Sequence, residues 1–150
     1  MTRTSKILSL VATVCALPTG LLHAQSVRVA QFTTSFPFYV AGQKMPAGFY
    51  KATMPNINDQ WLLIRDANGL HSVIVQYDPT QRIEPVAQGL ANFHQYGGAY
   101  YLSDLTVRGE ETGIEIPEST AEKRAAAAAQ SEHEVASTKS VALQVGVPGY

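Results

Sequence analysis

The sequence predicts a mainly β protein, an antiparallel sandwich or small barrel with one C-terminal α-helix. Three observations predict it. Short apolar alternations of period two recur between residues 26 and 116, separated by glycine-, proline- and asparagine-rich breaks. Two dipeptides, Asn68-Gly69 and Gly97-Gly98, sit between apolar runs, where they signal tight hairpins. One alanine run, 125–129, breaks the pattern and is the strongest helix-forming stretch of the chain.

Residues 1–24 stand apart from the body. Arg3 and Lys6 give a positive start, 7–22 is mostly apolar, and Leu22-His23-Ala24 offers a cleavage site before Gln25, so the segment reads as a secretory signal peptide. Pro18, Thr19 and Gly20 interrupt the run, whereas a retained membrane helix needs about 20 sustained apolar residues. The single cysteine, Cys15, lies inside the leader and follows Val14, not the small residue that a lipid-modified cysteine requires. The protein is therefore expected to be secreted or periplasmic, with no membrane span after cleavage and no cysteine. A chain of this size buries roughly two thirds of its unfolded surface. Without disulfides, that burial carries the stability.

The body then divides into a sandwich or barrel domain at 25–117, a helix at 118–136 and a tail at 137–150. In 26–34, Val27 and Val29 alternate with Arg28 and Gln31. Phe36, Phe38 and Val40 continue at period two around Pro37, which cannot donate to a ladder and so implies an edge or bulged strand. Gly42-Gln43-Lys44 reads as a turn, and Met45-Pro46-Ala47-Gly48 as a bend into a strand at 49–54. In the first hairpin a type I′ turn at Asn68-Gly69 pairs Asp66 with His71, Ile64 with Val73 and Leu62 with Val75. Leu63 and Ile74 pair on the opposite face, so this hairpin is expected to be covered on both sides. Residues 78–89, with Pro79 and Pro85, read as a polar connection.

In the second hairpin the Gly97-Gly98 turn pairs Gln95 with Tyr100, His94 with Tyr101, Phe93 with Leu102 and Asn92 with Ser103. Residues 114–116 suit a short strand. Phe38, Tyr50, Leu62, Ile64, Val73, Val75, Phe93 and Leu102 are the expected core. Ser119-Thr120-Ala121-Glu122 fits a capping box, with Ser119 as cap and Glu122 reaching back. The helix behind it has no large apolar stripe. Val141, Leu143, Val145 and Val147 alternate again, so the tail is expected to dock as an edge strand or to pair with a partner.

Charge excludes one class. Lys and Arg total 11 against 12 Asp and Glu, with no basic run or stripe, so nucleic acid is not an expected partner. No metal site or cofactor is expected either, because His71, His94 and His133 share no ligand spacing. His71 opposite Asp66 reads as a solvated cross-strand pair. No Gly-x-Ser-x-Gly elbow and no phosphate loop is present, and Glu84, Glu110, Glu111, Glu115 and Glu118 fall at turns or element ends. His94 is the candidate for chemistry, with Tyr101 across the hairpin and Asn92 and Ser103 on the same face. Tyr96 and Tyr100 flank the Gly97-Gly98 tip, and with His94 and Tyr101 they form the candidate ligand-binding set. The reading is a non-catalytic exported small β-domain with a binding or structural role in the cell envelope or outside the cell, its partner an envelope or extracellular ligand, protein or glycan. Its rival is a small hydrolase or isomerase using His94 with Tyr101 or Asp104.

The segments Phe36-Pro37-Phe38-Tyr39-Val40-Ala41-Gly42-Gln43-Lys44-Met45-Pro46-Ala47-Gly48-Phe49-Tyr50 and Phe93-His94-Gln95-Tyr96-Gly97-Gly98-Ala99-Tyr100-Tyr101-Leu102-Ser103 resemble a group of small secreted β-rich proteins of acidobacteria. That likeness runs from about Val27 to Arg124. It implies a β fold and export, and it carries no activity. The Pro-Ala-Gly-x-Tyr element is also similar to strand entries in prealbumin-like and collagen-binding B-type sandwiches, where the aromatic ring plugs the core.

Overall fold

Two sheets, antiparallel except for one parallel strand pair, pack face to face, with one helix near the C-terminus and no closed barrel among the described residues. A computed structural model describes residues 27–56, 58–132 and 136–144. The expected leader at 1–24, His133 and the apolar positions Val145 and Val147 lie outside the described residues. The strands are β1 (Val27–Thr34), β2 (Phe38–Val40), β3 (Gln43–Met45), β4 (Gly48–Met54), β5 (Trp61–Asp66), β6 (Ser72–Gln76), β7 (Asp78–Gln81), β8 (Leu90–Tyr96), β9 (Ala99–Thr106), β10 (Thr112–Glu115) and β11 (Ser137–Ala142), with helix α1 (Thr120–Ser131) between β10 and β11. The smaller sheet runs β1-β4-β5-β6. The larger runs β11-β8-β9-β10-β7, with β2 parallel to β9 and β3 beside β2.

Aromatic side chains form the seam between the sheets. Phe32 and Tyr50 point in from the smaller sheet, and Phe38 and Phe93 from the larger; all four are fully buried. Phe93 meets Phe36 and Phe38 at 5.3 Å and Phe32 at 6.2 Å between ring centres, all edge-to-face, a favoured geometry for aromatic pairs. Leu62, Ile64, Val73, Val75 and Leu102 extend the same core. Every residue expected in the core lies there.

Tyr50 shows how the Pro-Ala-Gly-x-Tyr element works. Its ring is buried, and its hydroxyl donates to the Pro46 carbonyl at 2.6 Å, which ties the bend to the strand it starts. Burial first, and the Asp66 carboxylate second, push the phenol up from 10.0 to about 12. The folded state thus holds this proton more tightly than the unfolded chain. The resulting stabilisation is complete below pH 10 and is lost as pH rises toward about 12. Denaturant titrations across that window should show stability falling with pH. Tyr50→Phe should flatten part of that slope and cost about 1 kcal/mol for the lost hydrogen bond.

Register follows the alternation. Leu62 pairs with Val75, Leu63 with Ile74 and Ile64 with Val73, as the sequence predicts. The turn itself differs. The loop spans four residues, Gly69 N–H donates to the Asp66 carbonyl at 3.2 Å, and Gly69 alone takes a positive φ, +72°. Asn68 does not take a positive φ, so the turn is not type I′. Gly97 and Gly98, at +55° and +77°, do form the expected two-residue turn.

Three expectations need correction. The first hairpin is covered on one face only: Ile74 is 59% exposed and Trp61 44%, because the smaller sheet packs on a partner sheet through one side. Gln43-Lys44 is not a turn. The reversal falls on Ala41-Gly42, and β3 pairs back along β2. Residues 78–81 are not a polar connection but β7, the outer strand on β10, an edge position that tolerates Pro79.

At the opposite edge β11 lies antiparallel along β8, from Ser137 opposite Gln95 to Ala142 opposite Leu90. Val141 and Leu143 pack against the core. Gln144 N–H then donates to the Gln31 carbonyl at 2.7 Å, so the end of this segment laces the two sheets together. No helix among the described residues is long and apolar enough to cross a membrane.

Candidate functional site

The outer face of the larger sheet is polar where its inner face is apolar, and a β-bulge arranges it. Phe93 pairs with Leu102, but Asn92 pairs with Asp104, so Ser103 is an extra residue in β9. The expected Asn92–Ser103 pair is therefore displaced by one. The bulge lets Leu102 and Leu105 both face the core, three residues apart, while Asp104 turns outward beside Asn92. Asn92 Nδ2 donates to Asp104 Oδ1 at 2.9 Å, and Ser140 Oγ donates to Asn92 Oδ1 at 2.7 Å. Ser103 Oγ donates to the Asn92 carbonyl at 3.0 Å and lies 3.2 Å from Asp104 Oδ2. Arg82 Nη2 approaches Asp104 at 3.8 Å.

Helix α1 closes one side of this face. Ser119 caps it, accepting from Glu122 N–H at 3.1 Å, and the Ser119 backbone N–H acts back on the Glu122 carboxylate. Both arms of the capping box thus hold Glu122 in place. The same carboxylate then meets His94, with Nδ1 to Oε1 at 2.9 Å. The Glu122 side chain is 5% exposed and His94 35%. Burial raises the Glu122 pKa above its usual value, and the His94 hydrogen bond opposes that rise without cancelling it.

Beside His94 opens a cleft of about 420 Å³, lined by Arg82, His94, Ser103, Asp104, Glu115 and Glu118, among others. Tyrosines continue the face beyond His94. The Tyr96 ring centre is 5.9 Å from His94 and 6.0 Å from Tyr101, and Tyr101 stacks on Tyr39 at 5.3 Å. Burial raises the pKa values of Tyr96 and Tyr101, and the nearby Glu122 carboxylate adds to both.

The candidate set is divided by the fold. His94, Tyr96 and Tyr101 share the outer face. Tyr100 does not: it lies on the inner side, 4.2 Å from the Phe36 ring, with Lys139 Nζ 5.3 Å above its own ring. Among the described residues His94 bonds to Glu122 and not to Tyr101 or Asp104. The Ser103 hydroxyl is bonded to the Asn92 carbonyl and lies beside Asp104, not beside His94. His71 and Asp66 meet at 2.9 Å as the sequence predicts. The His71 side chain is the main cause that holds the Asp66 carboxyl below its usual range.

Sequence reasoning did not single out Arg82 or Glu122 as site residues, and it set Glu115 and Glu118 aside as lying at turns or element ends. Their spacing along the chain announces nothing, since β7, β10 and α1 bring them together only in the folded state. One signal was present for the bulge: Leu102 and Leu105 are three apart, while their partners Phe93 and Ala91 are two apart. No family model, curated protein or solved structure matches the chain.

Proposed function

We propose that this is an exported, non-catalytic binding domain that holds an envelope or extracellular glycan on the outer face of its larger sheet. The cleft beside His94 carries the reading. It gathers a guanidinium, an imidazole, two hydroxyls and three carboxylates at the face of the larger sheet, next to a row of tyrosines. Dense hydrogen-bonding groups beside amphipathic rings suit a ligand rich in hydroxyls with an apolar ring face. The positive start, apolar stretch and cleavage site of residues 1–24 support export. The likeness to small secreted acidobacterial proteins agrees with it, and we propose membership of that group.

A hydrolase or isomerase is the second reading, favoured by one observation: the buried Glu122 orients His94, as carboxylates orient general bases. It ranks lower because Asp104 is already held by Asn92, Ser103 and Arg82. Co-sedimentation of the exported protein with murein sacculi tests both. The protein should pellet with the sacculi. Replacing Arg82 by alanine together with Glu115 by glutamine should weaken retention at least about tenfold, equal to about 1.4 kcal/mol. Undiminished retention of that variant overturns the cleft as the site. Release of soluble fragments, lost in His94→Gln, would establish the enzyme instead.

A further inference from the structure

We propose that His94, Glu118 and Glu122 form a binding site for a divalent first-row metal ion, zinc foremost. Their ligand atoms lie within 4.8 Å of one another, brought together from β8 and the start of α1. The 2.9 Å between His94 Nδ1 and Glu122 Oε1 is close to the ~3.3 Å edge of a tetrahedral zinc shell, and Glu118, within 4.8 Å of both, would close onto the ion. One imidazole nitrogen and two carboxylate oxygens suit zinc and its neighbours, whereas calcium prefers oxygen alone. Three protein ligands leave a fourth position, and the cleft lined by His94 and Glu118 provides both that position and a route in.

Charge adds an independent reason. Among the described residues no lysine or arginine forms an ion pair with Glu118 or Glu122; the nearest charged partner is His94. The two carboxylates therefore leave a negative field between β8 and the start of α1. A cation relieves this field. The positive end of the α1 dipole opposes a cation, but it carries only about half a charge against two carboxylates. A simple hydrogen-bonded clasp would need His94 and Glu122 alone. Glu118 is exposed and adds nothing to such a clasp, which makes it the discriminating residue.

This inference shares His94 and Glu118 with the glycan cleft, but its test is separate, since neither Arg82 nor Glu115 takes part. Chelator-treated, exported protein titrated with zinc chloride in a calorimeter should bind one ion per chain, and zinc should raise its melting temperature. Calcium chloride should bind far more weakly. Glu118→Gln should keep the metal-free melting temperature and lose at least about tenfold in zinc affinity. His94→Gln should abolish binding at this site. Absence of zinc uptake, or uptake unchanged by Glu118→Gln, overturns the proposal, whatever the sacculi experiment gives.

Discussion

Phe93→Ala is expected to lower the free energy of unfolding by about 3–5 kcal/mol, the usual cost of emptying a buried aromatic site. Phe93 is fully buried and meets Phe32 from the opposing sheet as well as Phe36 and Phe38. Its removal therefore leaves a void at the seam, and no neighbour can fill it without separating the sheets. The bulge beside it makes the loss local to the site as well. Phe93 fixes the inward side of β8, and His94 follows it on the outward side. Denaturant melts with an unchanged m-value would measure this directly. A loss below about 1 kcal/mol would place Phe93 at the surface and contradict the hairpin register.

Deletion of residues 137–150 is expected to cost about 3 kcal/mol and to lower the melting temperature by about 10 °C. The deletion removes β11, uncovers the edge of β8, and takes away Val141 and Leu143, which pack against the core. It also removes the Gln144–Gln31 bond between the sheets and the Ser140 hydroxyl that Asn92 accepts from. A bare β8 edge is a template for pairing with another chain, so the truncated protein should also associate at high concentration. Calorimetry and light scattering would record the two effects. Unchanged values in both would mean that β11 contributes nothing to the sheet.

Elements whose burial alternates along a single strand were legible. In β5 and β6 the register follows from the alternation, although apolar Leu63 and Ile74 on the second face hid which side would be covered. The short strands were not. Gln43-Lys44-Met45 and Asp78-Pro79-Thr80-Gln81 have no apolar alternation of their own and become strands only because β2 and β10 lie beside them. Asn68 misled because a four-residue loop closes the hairpin with the same pairing as the two-residue turn, so register alone could not separate them.

At the site, parity alone separates Tyr100 from the rest. Across a two-residue turn His94 faces Tyr101, so Tyr100 must point the other way. The partner of His94 was half legible. The capping box placed Glu122 in the first turn of a helix, but only packing decides which sheet face that turn meets. A carboxylate 28 residues along the chain from its histidine leaves no local pattern.

The outer face of the larger sheet is the proposed binding face of this protein. Amide hydrogen exchange with and without soluble murein fragments measures that directly. Protection is expected along β9 and β10 and in the first turn of α1, around Ser103, Asp104, Glu115 and Glu118, with the smaller sheet unchanged. Protection confined to the exposed side of the smaller sheet around Trp61 and Ile74, or no protection on either sheet, would contradict it.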